Sequence, residues 1–113
     1  MQTVLYVSPM KLGREVAVRQ LHERFPVAAL ARGAGVEGLV AFIGSGFYAL
    51  ELTVADGDFQ AQFHRFLGTP EVARFFRELT AHVERLPLTA EGTAVMPLAA
   101  PMFRWHREPA PAP

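Results

Sequence analysis

The chain has 113 residues, half of them hydrophobic, with eleven basic side chains balanced by eleven acidic ones and no cysteine. That length supports one core and one domain. The lack of a basic block argues against nucleic acid or a polybasic membrane contact, and the lack of cysteine excludes a disulfide framework, a thiolate nucleophile and a Cys-ligated metal.

The opening stretch, MQTVLYVSPMK, has no charged leader region or cleavage motif and reads as a first strand rather than a signal peptide. Within it, the β-branched and aromatic residues 3–8 form the strand, stopped by Pro9. No apolar run reaches the roughly 20 residues that span a bilayer, so a soluble, cytoplasmic protein is expected. Over residues 13–25, Val18, Leu21 and Phe25 recur at spacings of three and four between Arg14, Arg19, Glu23 and Arg24. This predicts an amphipathic first helix, ended by Pro26. Residues 27–34 read as an irregular, Ala-rich loop carrying Arg32 and Gly33.

Two apolar runs follow, 36–43 and 47–54, hinged at Gly44-Ser45-Gly46. Glycine there supplies the positive φ that a tight hairpin needs. In the second run Tyr48, Leu50, Leu52 and Val54 alternate with Ala49, Glu51 and Thr53 and are expected to face the helices. In the first run Val36, Val40 and Phe42 form one apolar set and Leu39, Ala41 and Ile43 another. A strand apolar on both faces is usually buried on both. Helices cover only one side of such a sheet, so a homodimer packed through its sheet faces is expected, with an exposed, mildly apolar face as the alternative.

Asp56 or Asp58 is placed to cap the next helix, in which Phe59, Phe63, Phe66 and Leu67 lie on one stripe. Gly68 breaks it. Thr69-Pro70-Glu71 restarts it with a capping hydroxyl, a proline at the first helical position and an early acid, and Val72, Phe75, Phe76, Leu79, Val83 and Leu86 continue the stripe as far as Pro87. After an irregular stretch, residues 102–106 are the best fourth strand, and Pro101 suggests an edge. Residues 1–107 are thus expected to form one domain, and the Pro/Ala-rich residues 108–113 a disordered tail. The order strand, helix, strand, strand, helix, strand is the split βαβ arrangement of an α+β, ferredoxin-like fold with a four-stranded antiparallel sheet.

Explicit chemistry is sparse. His22, His64, His82 and His106 form no metal-binding pair at short spacing, and no metal is expected. Gly33, Gly35 and Gly38 do not match GxGxxG, and no phosphate loop is present, so no cofactor is expected. Asp56 and Asp58 sit at a strand-to-helix corner, where capping outweighs a catalytic carboxylate pair. Ser45 lies in a hairpin rather than at the strand-to-helix turn of a nucleophile elbow. His22 and His64 each border a helix stripe and fit either a general acid–base role or a solvated flank. Tyr48, with Phe25, Phe42, Phe63 and Trp105, suits either a pocket for a flat aromatic ligand or an ordinary small core.

Several short motifs carry a resemblance that runs to about residue 106. They are Gly35-Val36 opening the second strand, the hairpin, the Phe47-Tyr48 pair, the acidic corner Ala55-Asp56-Gly57-Asp58, and Phe103-Arg104-Trp105. On these the chain resembles the dimeric α+β barrel proteins, and among them the tetracenomycin-type aromatic polyketide cyclases. The resemblance implies a pocket between helices and sheet in which a poly-β-ketone chain closes rings by aldol condensation and dehydration. It also implies polar residues that this chain lacks. Leu50 stands where a histidine is expected, Phe25 and Pro26 where a His-Asp pair is expected, and Leu39 where an arginine is expected. None of the family's catalytic residues therefore transfers.

The remaining candidates for proton transfer are His64, His22, Tyr48 and Arg32. Those for lining a ligand pocket are Phe25, Leu39, Phe42, Tyr48, Leu50, Phe63 and Trp105. A cavity bordered by Tyr48 and Leu50 is expected, and orientation within it would itself accelerate closure. The alternatives are a cofactor-independent monooxygenase of the same barrel type and a non-catalytic dimer that binds a small ligand.

Overall fold

The structure, a computed structural model, describes residues 1–31, 36–92, 94–103, 105 and 107, leaving aside the side chains of 30 and 31. Seven elements follow in order: β1 (Gln2–Pro9), α1 (Glu15–Glu23), α2 (Val27–Ala31), β2 (Val36–Gly44), β3 (Phe47–Val54), α3 (Phe59–Leu67) and α4 (Pro70–Leu79). The strands form an antiparallel sheet ordered β1-β3-β2. The expected antiparallel α+β architecture is present, with three strands rather than four among the described residues.

The prolines explain the missing strand. Leu5 and Ala99 exchange a reciprocal pair of backbone hydrogen bonds of 2.9 and 2.8 Å on the free edge of β1, where a fourth strand would begin. In an antiparallel ladder the next residues to exchange bonds lie two positions away on either side. Those positions are Pro97 and Pro101, and neither has an N–H to give. Pairing therefore stops at a single bridge, and Met102, Phe103 and Trp105 lie outside any strand. Arg104 and His106, also in the expected strand, and the 108–113 tail lie outside the described residues.

Two further expectations are corrected. Val27–Ala31 is a short helix rather than a loop. It starts directly after Pro26 and consists largely of alanine, the best helix former. In β2, Val36 pairs with Val54 but Gly38 pairs with Thr53, so two steps along β2 match one along β3. This bulge shifts the alternation. Val36 is buried, whereas Val40 and Phe42, its expected companions, turn outward.

The helices cover one side of the sheet. Val4 and Tyr6 of β1 and Tyr48, Leu50, Leu52 and Val54 of β3 pack there in one core with Val18 and Leu21 of α1, Phe63 and Phe66 of α3, and Phe75, Phe76 and Leu79 of α4. Asp58 Oδ1 accepts the amides of Gln60 and Ala61, both at 3.1 Å, and so caps α3. Thr69 occupies the cap position of α4, but its hydroxyl makes no capping bond. Buried Ser8 ties the chain beyond α4 to the end of β1, its hydroxyl accepting the amides of Glu84 at 3.1 Å and Arg85 at 2.8 Å. On the opposite side of the sheet Leu5, Val7, Val40, Phe42 and Phe47 are exposed.

Candidate acid–base cleft

Along α1, positions 18, 19, 22 and 23 fall on adjacent rows of one helical flank, and all four line a cleft of about 410 Å³. Its other wall is the edge strand β2 at Ala41, Phe42 and Ile43, together with Tyr48 at the start of β3. The cleft lies where α1 faces the edge strand β2. Ile43 pairs with Tyr48 in register, so both side chains stand on the helix side of the sheet.

Two groups separated by 26 residues in sequence meet at the inner end of this cleft. His22 Nε2 lies 2.7 Å from the Tyr48 hydroxyl, and His22 Nδ1 lies 2.8 Å from the Val18 carbonyl. A carbonyl oxygen only accepts, so Nδ1 carries the proton and donates to Val18. In the neutral imidazole Nε2 is then the free lone pair, and the Tyr48 hydroxyl donates to it. Aromatic rings fix the pair: His22 and Tyr48 centroids are 5.3 Å apart, Phe75 meets His22 edge-on at 5.0 Å, and Tyr6 lies 6.2 Å from Tyr48.

Burial sets the protonation states. Desolvation lowers the His22 pKa, outweighing the bond to Val18 that favours the imidazolium. Tyr48 is 1% exposed, and burial, reinforced by the neighbouring Tyr6 phenol, pushes its pKa upward. At neutral pH the site therefore holds a neutral base in contact with a neutral phenol. The phenol can polarise a carbonyl, and the imidazole can take and return a proton.

Of the other sequence candidates, Leu39 is partly buried against the core, and so is Phe25, which meets Phe75 at 4.5 Å. Leu50 is fully buried in the core beneath the helices and does not line this cleft, whereas Tyr48 does. Phe42 borders the cleft from the edge strand, yet it remains 45% exposed on the open side of the sheet. His64 and Phe63 lie on α3 beside a separate hollow. Trp105 is 73% exposed and does not line this cleft. Arg32 lies outside the described residues. Arg19 and Glu23 at the cleft rim were not anticipated, although their i, i+4 spacing beside Val18 and His22 was visible. Among the described residues no group of three or more His, Asp or Glu side chains is arranged to hold a metal, and no helix is long and apolar enough to cross a membrane.

Solved structures share this arrangement of strands and helices. Tetracenomycin F2 cyclase from Streptomyces glaucescens, a type-II polyketide cyclase, is 14% identical with a TM-score of 0.66, over 96% of this chain and 100% of that one. L-rhamnose mutarotase from Formosa agariphila is 14% identical with a TM-score of 0.63, over 94% and 100%. The chain has the ferredoxin-like α+β fold that these proteins share. A protein from Chloroflexus aurantiacus, proposed to be an antibiotic biosynthesis monooxygenase, is also similar, at 10% identity and a TM-score of 0.56 over 92% of this chain and 95% of that one. Identities this low show a shared fold and nothing finer. No family model matches the chain, and no curated protein matches it.

Proposed function

We propose that this protein is a polyketide-cyclase-like enzyme that moves protons on a small β-ketone ligand through His22 and Tyr48. The observation that carries the reading is the 2.7 Å contact between Nε2 and the phenol at the inner end of an open cleft. The cleft volume lies within the roughly 300–1,000 Å³ usual for small-molecule sites.

The chemistry follows from the two protonation states. A ligand carbonyl that accepts the Tyr48 O–H frees the Nε2 lone pair. Nε2 then takes a proton from the carbon between two carbonyls, and the negative charge that moves to oxygen is held by the Tyr48 hydrogen bond. The enolate carbon attacks a second carbonyl of the same chain, forming the carbon–carbon bond. The alkoxide produced takes the proton back from Nε2–H. No oxidant is involved.

This reading places acid–base chemistry at the cleft beside Tyr48, while Leu50 lies in the core away from it. It takes the active form to be a cytoplasmic homodimer. The support for a dimer is the open sheet side bearing Leu5, Val7, Val40, Phe42 and Phe47, an apolar surface of the kind that partners cover.

The test is the product profile of a minimal polyketide synthase run with and without the protein. A ring pattern that requires the protein and disappears with His22→Gln supports the reading. An unchanged profile removes it. A second reading draws on the polar rim of Arg19 and Glu23, which suits a sugar. The same two groups would open and close a hemiacetal ring, and accelerated anomer exchange of a free aldose in magnetisation-transfer NMR would select that chemistry instead.

A further inference from the structure

We infer that the protein has a second ligand site, between α3 and the segment after α4, suited to a small aromatic compound bearing a hydroxyl or an amine. A hollow of about 470 Å³ lies there, with a larger volume than the His22 cleft and, among the described residues, no lining residue in common with it. Its floor includes Phe63, Leu67 and Met96, all buried, and its mouth includes Gln60, His64 and Glu91, all exposed. An apolar floor with a few polar groups at the opening is the usual make-up of a small-molecule pocket.

The far wall is a built structure rather than a loose strand of chain. Leu88 and Ala94 form an antiparallel bridge, and the Val95 amide donates to the Pro87 carbonyl at 2.8 Å. The turn between them closes with the Gly92 amide on the Thr89 carbonyl at 2.9 Å, with Gly92 at φ +82°. Arg77 of α4 reaches over to donate to the Gly92 carbonyl at 3.3 Å. Beyond the wall, the Ala99 bridge to Leu5 anchors the segment to the sheet. The turn that carries Glu91 is therefore held at the mouth from both ends.

The lining chooses the ligand class. Phe63 and Met96 offer an aromatic face and a polarisable thioether to a flat ring. At the mouth Glu91 offers carboxylate acceptors, and His64 supplies an imidazole. A ring with one hydroxyl or ammonium group satisfies both regions, whereas an anionic ring would meet Glu91.

The test is a titration of the isotopically labelled full chain with 2-naphthol, followed through backbone amide NMR shifts. The expected shifts fall on Phe63, His64, Leu67, Val95, Met96 and Leu98. Met96→Trp, which fills the floor, is expected to abolish them while the spectrum stays dispersed and folded. Glu91→Gln, an exposed change with no folding risk, is expected to weaken binding roughly three- to tenfold through the weaker hydrogen bond. His22→Gln is expected to leave these shifts unchanged, which separates this site from the acid–base cleft. Shifts confined to α1 and the open sheet face, or the same affinity in Glu91→Gln and Met96→Trp, would overturn the inference.

Discussion

Replacing Tyr48 by Phe removes one oxygen from a side chain that is 1% exposed, while the ring contacts to Tyr6 at 6.2 Å and His22 at 5.3 Å can persist. What is lost is the single 2.7 Å hydrogen bond to Nε2, a net contribution of about 1 kcal/mol. His22→Ala loses that same bond, the 2.8 Å bond to Val18 and the edge contact with Phe75, for about 2–3 kcal/mol in all. The bond is shared, so the double variant should be about 1 kcal/mol more stable than the sum of the two losses implies, as read by urea unfolding. The pair also predicts a pH effect. In the unfolded chain imidazole takes up protons near its ordinary pKa of about 6.5, whereas folded His22 resists protonation because it is desolvated. Its contribution to stability is therefore complete above that pH and is lost as the pH falls towards the lowered folded value. His82 is shifted the same way, by burial and by the nearby Arg14 and Lys11 charges, so His22→Ala removes only part of the acid-side slope. Tyr48→Phe should raise the NMR-observed pKa of His22, because the phenol bonds to the unprotonated nitrogen. Losses that add within about 0.3 kcal/mol, together with an unmoved His22 titration, would refute the pairing.

Three further outcomes follow from the packing. Leu52→Ala empties a fully buried position in the middle of the core and should cost about 3 kcal/mol in denaturant unfolding, with a well-preserved fold. Gly46 takes φ +82° in the β2–β3 turn with open space around it, so Gly46→Ala should cost about 1 kcal/mol through backbone strain alone. Val7→Arg combined with Val40→Arg puts two charges on the open sheet side; sedimentation should show a dimer for the parent chain and a monomer for this variant, and identical masses would remove the sheet-packed dimer.

The fold was legible where local pattern and tertiary demand coincide. The alternation from Tyr48 to Val54, the glycine hinge and the Asp58 corner each specify one conformation, and the structure adopts it. The fourth strand misled because β-propensity at 102–106 was visible, while the decisive fact was the pair of missing N–H groups at 97 and 101 relative to Leu5. That is a register property, and register is fixed by contacts distant in sequence. The β2 bulge is similar: one extra residue near Glu37 moves Val36 to the opposite face from Val40 and Phe42. For the cleft, His22 and Tyr48 were each recognisable as candidates, but their contact depends on how α1 lies across the sheet edge. Leu50 shows the converse, since a position of interest by resemblance became ordinary core.

The most direct measurement of the acid–base claim is deuterium exchange at the methylene between the carbonyls of a soluble β-diketone, followed by proton NMR in D₂O. The protein should accelerate exchange well beyond an equal concentration of free imidazole, and both His22→Gln and Tyr48→Phe should remove roughly a hundredfold or more of that acceleration. Exchange no faster than with imidazole, or acceleration retained in His22→Gln, would contradict it.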